Sequence, residues 1–509
     1  MATTLIRDCL VMSDGHGAFR RGASEILIRD DRIIAVEPSG TVAEADRVID
    51  ADGLIAAPGL INGHLHSWDH FIKGRVENLP MEVLMAHLRP AKPLRLTARQ
   101  VYIRTALGAI ESLRTGATTI VDDMSLGQSF DRDHVDAALQ AYDDVGIRAY
   151  LGFSMIDKPV VDSWPYVDQA FAPETLATLR SLPRPAADRL LGVVRELAAL
   201  RHPRTSRIGP IVAPSAPQRC TDEFLRACCG LADECDLPVI IHVLETRLQV
   251  VTAQVFWGRS MVEHLDALGF LKPNTSLIHA VWLTPKDREL IAASGATVQF
   301  NPWSNGVIGS GIADFRACRD AGINVSMGSD GCGVTFNCSM LNALKLGASL
   351  SRVRDPDYGR WPSAAELWDA ATIGGAAALG RGHELGRIMP GLKADIVLYR
   401  LGAPSLCPLN DPVRQLVHSE AGAGIHTVVV DGQPVIEDGR FARVDEAALI
   451  DEFRATHAEL KDAIMGSEEA SRELLDGIAH VYRMAAAVPI PAGTTRGWLE
   501  GVNLAGDAA

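Results

Sequence analysis

Between residues 59 and about 388, short apolar runs alternate with stretches whose apolar residues recur at helical spacing. That texture predicts βα units and a parallel sheet, whose strands are buried on both faces and therefore read as apolar runs. Candidate strands are 60–66, 117–123, 147–153, 208–213, 238–243, 275–279, 296–300 and 323–330. Eight such units predict an α/β protein built on a closed (β/α)8 TIM-like barrel, in which active sites lie at the C-terminal strand ends. Parity supports the last strand. Ile323, Val325 and Met327 share one face, while Asn324, Ser326, Gly328 and Asp330 share the other, a small polar inner face ending in a carboxylate.

The flanks differ. "TLIRDCLVM", "SEILIRDDRIIAVEP" and "DRVIDADGLIAAP" are short strands broken at Asp/Gly turns, and "GLKADIVLYRL" and "IHTVVVDGQPVIEDGRFARV" repeat the texture around a "DG" hairpin signal. Residues 1–58 and 389–445 are therefore expected to form one composite β-sandwich domain, with the barrel at 59–388. From 446 to 509 the pattern turns to a helical C-terminal extension that frays into a Gly/Pro-containing tail. No repeat or low-complexity segment interrupts this order.

The stretch "GLINGHLHSW" ends its apolar run in two histidines one residue apart, so on a strand His64 and His66 leave the same face. His242 and His279 also close predicted strands, and Asp330 closes the last one. In a closed barrel these ends converge on one mouth. One such histidine is ordinarily a satisfied polar residue, but four with a carboxylate suit a divalent metal: zinc, or iron or manganese, with room for a water. "IIHVLET" places Glu245 just beyond its strand, where it can take a proton from a metal-activated water and pass it to a leaving group. Trp68, Trp282 and Trp303 each lie near a strand end and suit either a flat or apolar substrate or loop packing, and Asn305 is a candidate hydrogen-bonding partner. "HSE" at 418–420 resembles half of a zinc nucleobase deaminase signature, lacks the P-C-x-x-C that should follow, and is expected in a strand. "GVIGSG" at 306–311 reads as a loop after the seventh strand, and no nucleophile elbow, P-loop or dinucleotide fingerprint is present.

Composition narrows the partners. Hydrophobic residues make up 47% of 509 and charged residues 22%, which permits a large core. With 49 Lys plus Arg against 63 Asp plus Glu, a net charge of -14 disfavours nucleic acid and anionic membrane. No apolar run reaches the ~20 residues of a spanning helix. The opening "MATTLIRDCLVMSDG" places acids where a signal peptide would be apolar, so a cytoplasmic location is expected. Nine scattered cysteines without a C-x-x-C pair fit reduced thiols; Cys332 and Cys338 fall near the proposed site, where buried cysteines ordinarily act as small hydrophobes.

From about residue 50 to 400 the chain resembles the amidohydrolase superfamily, in particular the branch of cytosine, guanine and adenosylhomocysteine deaminases and triazine hydrolases. The resemblance rests on "PGLINGHLH", "GATTIVDD", "APSAPQRC", "IHVLET", "LIHAVWL", "NPWSNGVIGSGIADF" and "GSDG". It implies a distorted (β/α)8 barrel with a composite β domain and one divalent metal. His64, His66, His242 and Asp330 would be its ligands, Glu245 the proton shuttle and His279 the residue that orients water or polarises the substrate. Two-metal relatives bridge their ions through a carboxylated lysine after the fourth strand; here "IVAPSAPQR" has none, which implies a single ion. The branch has an Arg-Gly pair where this chain has "KGR" at 73–75, and an Asn-rich segment where this chain has "CGVTFNCSM". Homo-oligomers are common in the family.

The expected activity is hydrolysis at a ring carbon of a nitrogen heterocycle, expelling ammonia, an amine or chloride. Hydrolysis of an exocyclic amide, urea or carbamate C–N bond would use the same residues. A non-catalytic scaffold on an inherited barrel is the alternative of another class.

Overall fold

The computed structural model describes residues 2–12, 15–88, 94–125, 131–469, 471–491 and 494. Strands β1 (Thr3–Val11), β2 (Ser24–Arg29), β3 (Arg32–Pro38), β4 (Arg47–Asp50) and β5 (Leu54–Pro58) open the chain. Eight strands follow with helices between them: β6 (Leu60–Leu65), β7 (Ala117–Asp123), β8 (Arg148–Gly152), β9 (Ile208–Pro210), β10 (Val239–Val243), β11 (Thr275–His279), β12 (Thr297–Phe300) and β13 (Asn324–Met327). β14 (Ile396–Arg400), β15 (Ile425–Val430), β16 (Gln433–Glu437) and β17 (Arg440–Phe441) then join the opening strands in one nine-stranded sheet, through the antiparallel pairing of β14 with β5. The "DG" signal forms the β15–β16 turn, with positive φ at both Asp431 and Gly432, the backbone that a two-residue hairpin requires.

β6 to β9 and β10 to β13 form two parallel four-stranded sheets. They join at a parallel bridge between Val212 and Val239, and again where the Asp330 amide donates to the His64 carbonyl at 2.9 Å. The result is a distorted TIM-like barrel. β9 is only three residues long, and beyond Pro210 the Ile211 amide still donates to the Leu151 carbonyl of β8 at 3.1 Å. Ile61, Val121, Tyr150, Ile211, Ile240 and Ile278 fill the interior, and the outer strand faces pack under the helices in the main core.

The last sequence strand, expected over 323–330, ends at Met327, and Gly328–Asp330 already belong to the turn. His418 closes the helix Pro412–His418, so "HSE" is not in a strand; Asp411 caps that helix and Pro412 starts it with a preset φ. "GVIGSG" also begins inside a helix, Pro302–Val307, rather than wholly in a loop. Helices Glu446–Glu469 and Arg472–Ala487 follow β17, and the tail expected beyond them falls, from 492 on and apart from Thr494, outside the described residues. Phe453, Leu460 and Ile464 of the first helix meet Phe71 and Ile103, while Ile478, Val481 and Ala485 of the second meet Val161, Trp164 and Leu248. No described helix is long and apolar enough to cross a membrane.

Candidate metal centre and active site

Each residue of the site owes its direction to the end of its strand. A register shift between Asn62 and Leu65 lets Ile61 fill the barrel while His64 and then His66 face the mouth. On β10, Ile240 and His242 share the inward parity. On β11 the inward residue is Ile278, so simple alternation would turn His279 outward; its φ of 71° re-aims the imidazole into the mouth. Asp330 (φ 65°) and Leu244 (φ 49°) are left-handed too, each costing about 1–3 kcal/mol that the surrounding structure must hold.

The five side chains meet. Donor atoms of His64, His66 and His242 lie within 4.8 Å of one another, as do those of His64, His279 and Asp330. Asp330 Oδ1 is 3.6 Å from His64 Nε2 and 3.4 Å from His66 Nε2, and Asp330 Oδ2 is 3.7 Å from His279 Nε2. His66 Nδ1 donates to the Asp123 carbonyl at 2.8 Å and His242 Nδ1 to the Ser215 carbonyl at 2.7 Å, which leaves each Nε2 lone pair facing the centre. The Ser304 hydroxyl donates to Asp330 Oδ2 at 2.6 Å and the Gly331 amide to Oδ1 at 2.7 Å. Three imidazoles, two of them with tautomers fixed by carbonyls, and one anchored carboxylate are a donor set for a divalent ion.

Electrostatics agree with that chemistry. Burial and the neighbouring imidazoles of His64, His279 and His66 push His242 well below its ordinary value, and burial lowers His279, so both are held neutral. Burial opposes ionisation of Asp330, but His279, His66 and the Ser304 hydrogen bond hold its carboxyl below the usual range. Glu245 goes the other way: burial, then the charges of Asp330 and Glu82, push it well above the usual carboxylate range. Its Oε1 lies 3.5 Å from His279 Nε2, and His279 Nδ1 donates to Asn305 Oδ1 at 2.9 Å. A carboxyl so perturbed beside a cation-binding cluster is suited to accept and return a proton.

A cavity of about 330 Å³ adjoins the cluster, lined among others by Trp68, Met155, Arg219, Ile464 and Ile478. The Trp68 ring stands 5.8 Å from that of His66, at the junction of cavity and cluster. Trp282 is buried and donates from Nε1 to the Ser310 carbonyl, while Trp303 is half-buried; neither lines the cavity. Asn305 is buried against His279.

Two polar residues of the site escaped the sequence reading. Glu82 is buried, accepts a hydrogen bond from the Thr246 hydroxyl beside Glu245, and is pushed above its ordinary value by burial. Arg219 donates to the Ser215 hydroxyl at 3.1 Å and is lowered by burial despite the charges of Glu245 and Glu82. A lone glutamate in the apolar helix "MEVLMAHL" was the available signal for Glu82.

Comparison with known proteins agrees with this geometry. The chain is 32% identical over 445 residues to a 5'-deoxyadenosine deaminase of Methanothermobacter thermautotrophicus, covering 87% of this chain and 96% of that protein. It is 34% identical over 451 residues to a 5-methylthioadenosine/S-adenosylhomocysteine deaminase of Nitratidesulfovibrio vulgaris, covering 88% and 94%. Among solved structures, a zinc-bound adenosine deaminase from Xanthomonas campestris superposes with a TM-score of 0.79 at 25% identity, covering 91% of this chain and 98% of that one. A zinc complex of atrazine chlorohydrolase from Arthrobacter aurescens gives 0.81 at 25% identity, covering 89% and 100%. Residues 55–435 match the model of the amidohydrolase family, and the chain belongs to that family.

Proposed function

We propose that this metal-dependent hydrolase removes an exocyclic amino group from a ring carbon of a nitrogen heterocycle, with adenosine-type nucleosides the first class to test. The observation that carries this reading is the Glu245 carboxyl, pushed well above its ordinary value, 3.5 Å from His279 Nε2 at the rim of the imidazole cluster. Names of similar proteins support the substrate class, and an apolar-walled cavity of about 330 Å³ is within the ~300–1,000 Å³ of small-molecule sites.

His64, His66, His242 and Asp330 would hold one divalent ion, most simply zinc given three imidazoles and one carboxylate, with iron or manganese as rivals. When bound, that ion supplies Lewis acidity and lowers the pKa of water. Glu245 accepts the proton of the attacking water, and His279, neutral and fixed through Asn305, presents its Nε2 as the acceptor that orients it. A C–O bond forms at the ring carbon, Glu245 returns the proton to the exocyclic nitrogen, the C–N bond breaks and ammonia leaves. Trp68 offers a face for the ring, and Asn305 acts through His279.

On the same reading the nine-stranded sheet is a composite sandwich of 1–58 and 389–445, the barrel spans 59–388, and 446–509 is an extension whose helices roof the cavity. A cytoplasmic homo-oligomer is the expected setting.

Glu245→Gln protein should keep its bound metal and lose turnover; near-normal turnover would refute the assignment. Activity confined to aryl amides and ureas, with none on aminated heterocycles, would favour the exocyclic-bond reading instead.

A further inference from the structure

Behind the mouth lies a second cluster of metal-binding side chains that the reaction does not use. His70, Cys332 and Cys338 are all buried, and one donor atom from each lies within 4.8 Å of the others. His70 sits in the short 3-10 helix Ser67–Ile72 that directly follows His66. Cys332 opens the helix Cys332–Thr335 just after Asp330, and Cys338 precedes the helix Met340–Arg354. The trio therefore joins the segment carrying two proposed ligands to the segment carrying a third.

We propose that His70, Cys332 and Cys338 form a second, thiolate-rich metal site, separate from the catalytic centre, which takes a zinc-class divalent ion and pins the His66 loop to the Asp330 loop. His70 Nδ1 faces the Ser67 carbonyl at 3.3 Å, a weak contact that favours the tautomer with its proton there. Its buried Nε2 makes no hydrogen bond of normal length and looks toward Glu111 Oε2 at 3.5 Å. Against burial, Cys338 and Glu111 raise His70 to about 10, so without an ion the ring keeps a proton that binding must displace, while a backbone carbonyl on the other ring nitrogen is the usual partner of a ligating histidine. The Cys332 thiol, a weak donor, points at Asp69 Oδ1 at 3.2 Å, while the Gly333 amide holds Oδ2 at 2.7 Å. Asp69 and Glu111 thus bracket the trio and offer an oxygen for the fourth position.

The scale fits. Two sulfurs bound at about 2.3 Å to a tetrahedral ion stand about 3.8 Å apart, so closing the trio takes at most about 1 Å. The ion displaces the thiol protons and the extra proton of the His70 ring, and its two positive charges balance two thiolates, which leaves the buried site neutral apart from the flanking carboxylates. Thiolates with one imidazole favour zinc over hard cations. The backbone is also tailored to this contact: a Cβ on Gly331 would lie 2.2 Å from Asp69 Oδ2, and one on Gly108 would lie 2.8 Å from the His70 ring.

The test uses the full chain, stripped with a chelator under reducing, oxygen-free conditions and titrated with Co2+. Two equivalents should bind, and one should bring a near-ultraviolet thiolate-to-cobalt charge-transfer band that an all-N/O catalytic site cannot produce. The double variant Cys332→Ser/Cys338→Ser should lose that band and one equivalent; His64→Ala/His66→Ala should lose the other equivalent and keep the band. This separates the inference from the catalytic reading, since either site can fail alone. Wild-type protein that binds one equivalent without the band would overturn the proposal, as would a band that survives in the double cysteine variant.

Discussion

The two ends of the barrel treat buried charge in opposite ways. At the closed end, where β8 begins, the Arg148 guanidinium is 2% exposed and meets Asp395 at 2.9 and 3.1 Å and Asp431 at 2.7 Å. Every charge there has an opposite partner, and the pairing ties the barrel to the nine-stranded sheet through β14 and the β15–β16 turn. At the open end, Glu245 and Asp330 lie among imidazoles of which burial lowers His242 and His279, and Leu244, His279, Ala280 and Asp330 carry left-handed backbone. The closed end completes its electrostatics within the chain; the mouth leaves a negative centre that an external cation would complete. Paired charge at one end and the proposed site at the other is the usual division for this architecture.

The sharpest way to break the comparison is at Glu245. Glu245→Gln should cut kcat/KM by about 10⁴-fold, since in the proposed mechanism one group serves as both base and acid, with metal content unchanged by elemental analysis. In metal-free protein the same change should raise the melting temperature near neutral pH, because a carboxyl raised by burial destabilises the fold once ionised. Next in size is Arg148→Met, which strands two carboxylates and should cost about 3–5 kcal/mol in urea unfolding. Under native conditions this variant should still bind metal at the mouth. Ser304→Ala, which removes the 2.6 Å hydrogen bond to Asp330, should weaken metal binding about 10–100-fold in chelator competition without unfolding the protein.

The smallest expected effect is the most diagnostic of the contrast. Burial works to raise Asp431, but Arg148 and Lys393 hold it below its ordinary value, so its contribution is complete above about pH 4 and is lost as pH falls through the depressed value. Glu245 is raised, so in metal-free protein its contribution is complete below about pH 4 and is lost as pH rises through the elevated value. Chemical unfolding of metal-free Glu245→Gln should therefore lose the decline on the alkaline side and keep the one on the acid side.

Much of this was legible in the chain because barrel strands buried on both faces leave apolar runs that no surface element imitates. All eight predicted strands appear, two of them unchanged, five shorter by one to three residues and the last shorter by four. Strand ends were also enough to group His64, His66, His242, His279 and Asp330. Alternation could not supply the aim of His279, which depends on a backbone angle rather than on residue type. The helices Pro302–Val307 and Pro412–His418 were missed although a proline at the first helical position marks the start of each. Glu82 and Arg219 reach the site only through tertiary packing, as does the meeting of His70 with Cys332 and Cys338. No local spacing records those contacts.

The central claim is that His64, His66, His242 and Asp330 grip one cation at the mouth. Anomalous diffraction at the zinc absorption edge from crystals of zinc-loaded protein tests it directly. The account predicts a peak about 2.0–2.1 Å from imidazole nitrogens of all three histidines and about 2.0–2.2 Å from an Asp330 oxygen. Zinc-loaded crystals with no peak among those four side chains would contradict it.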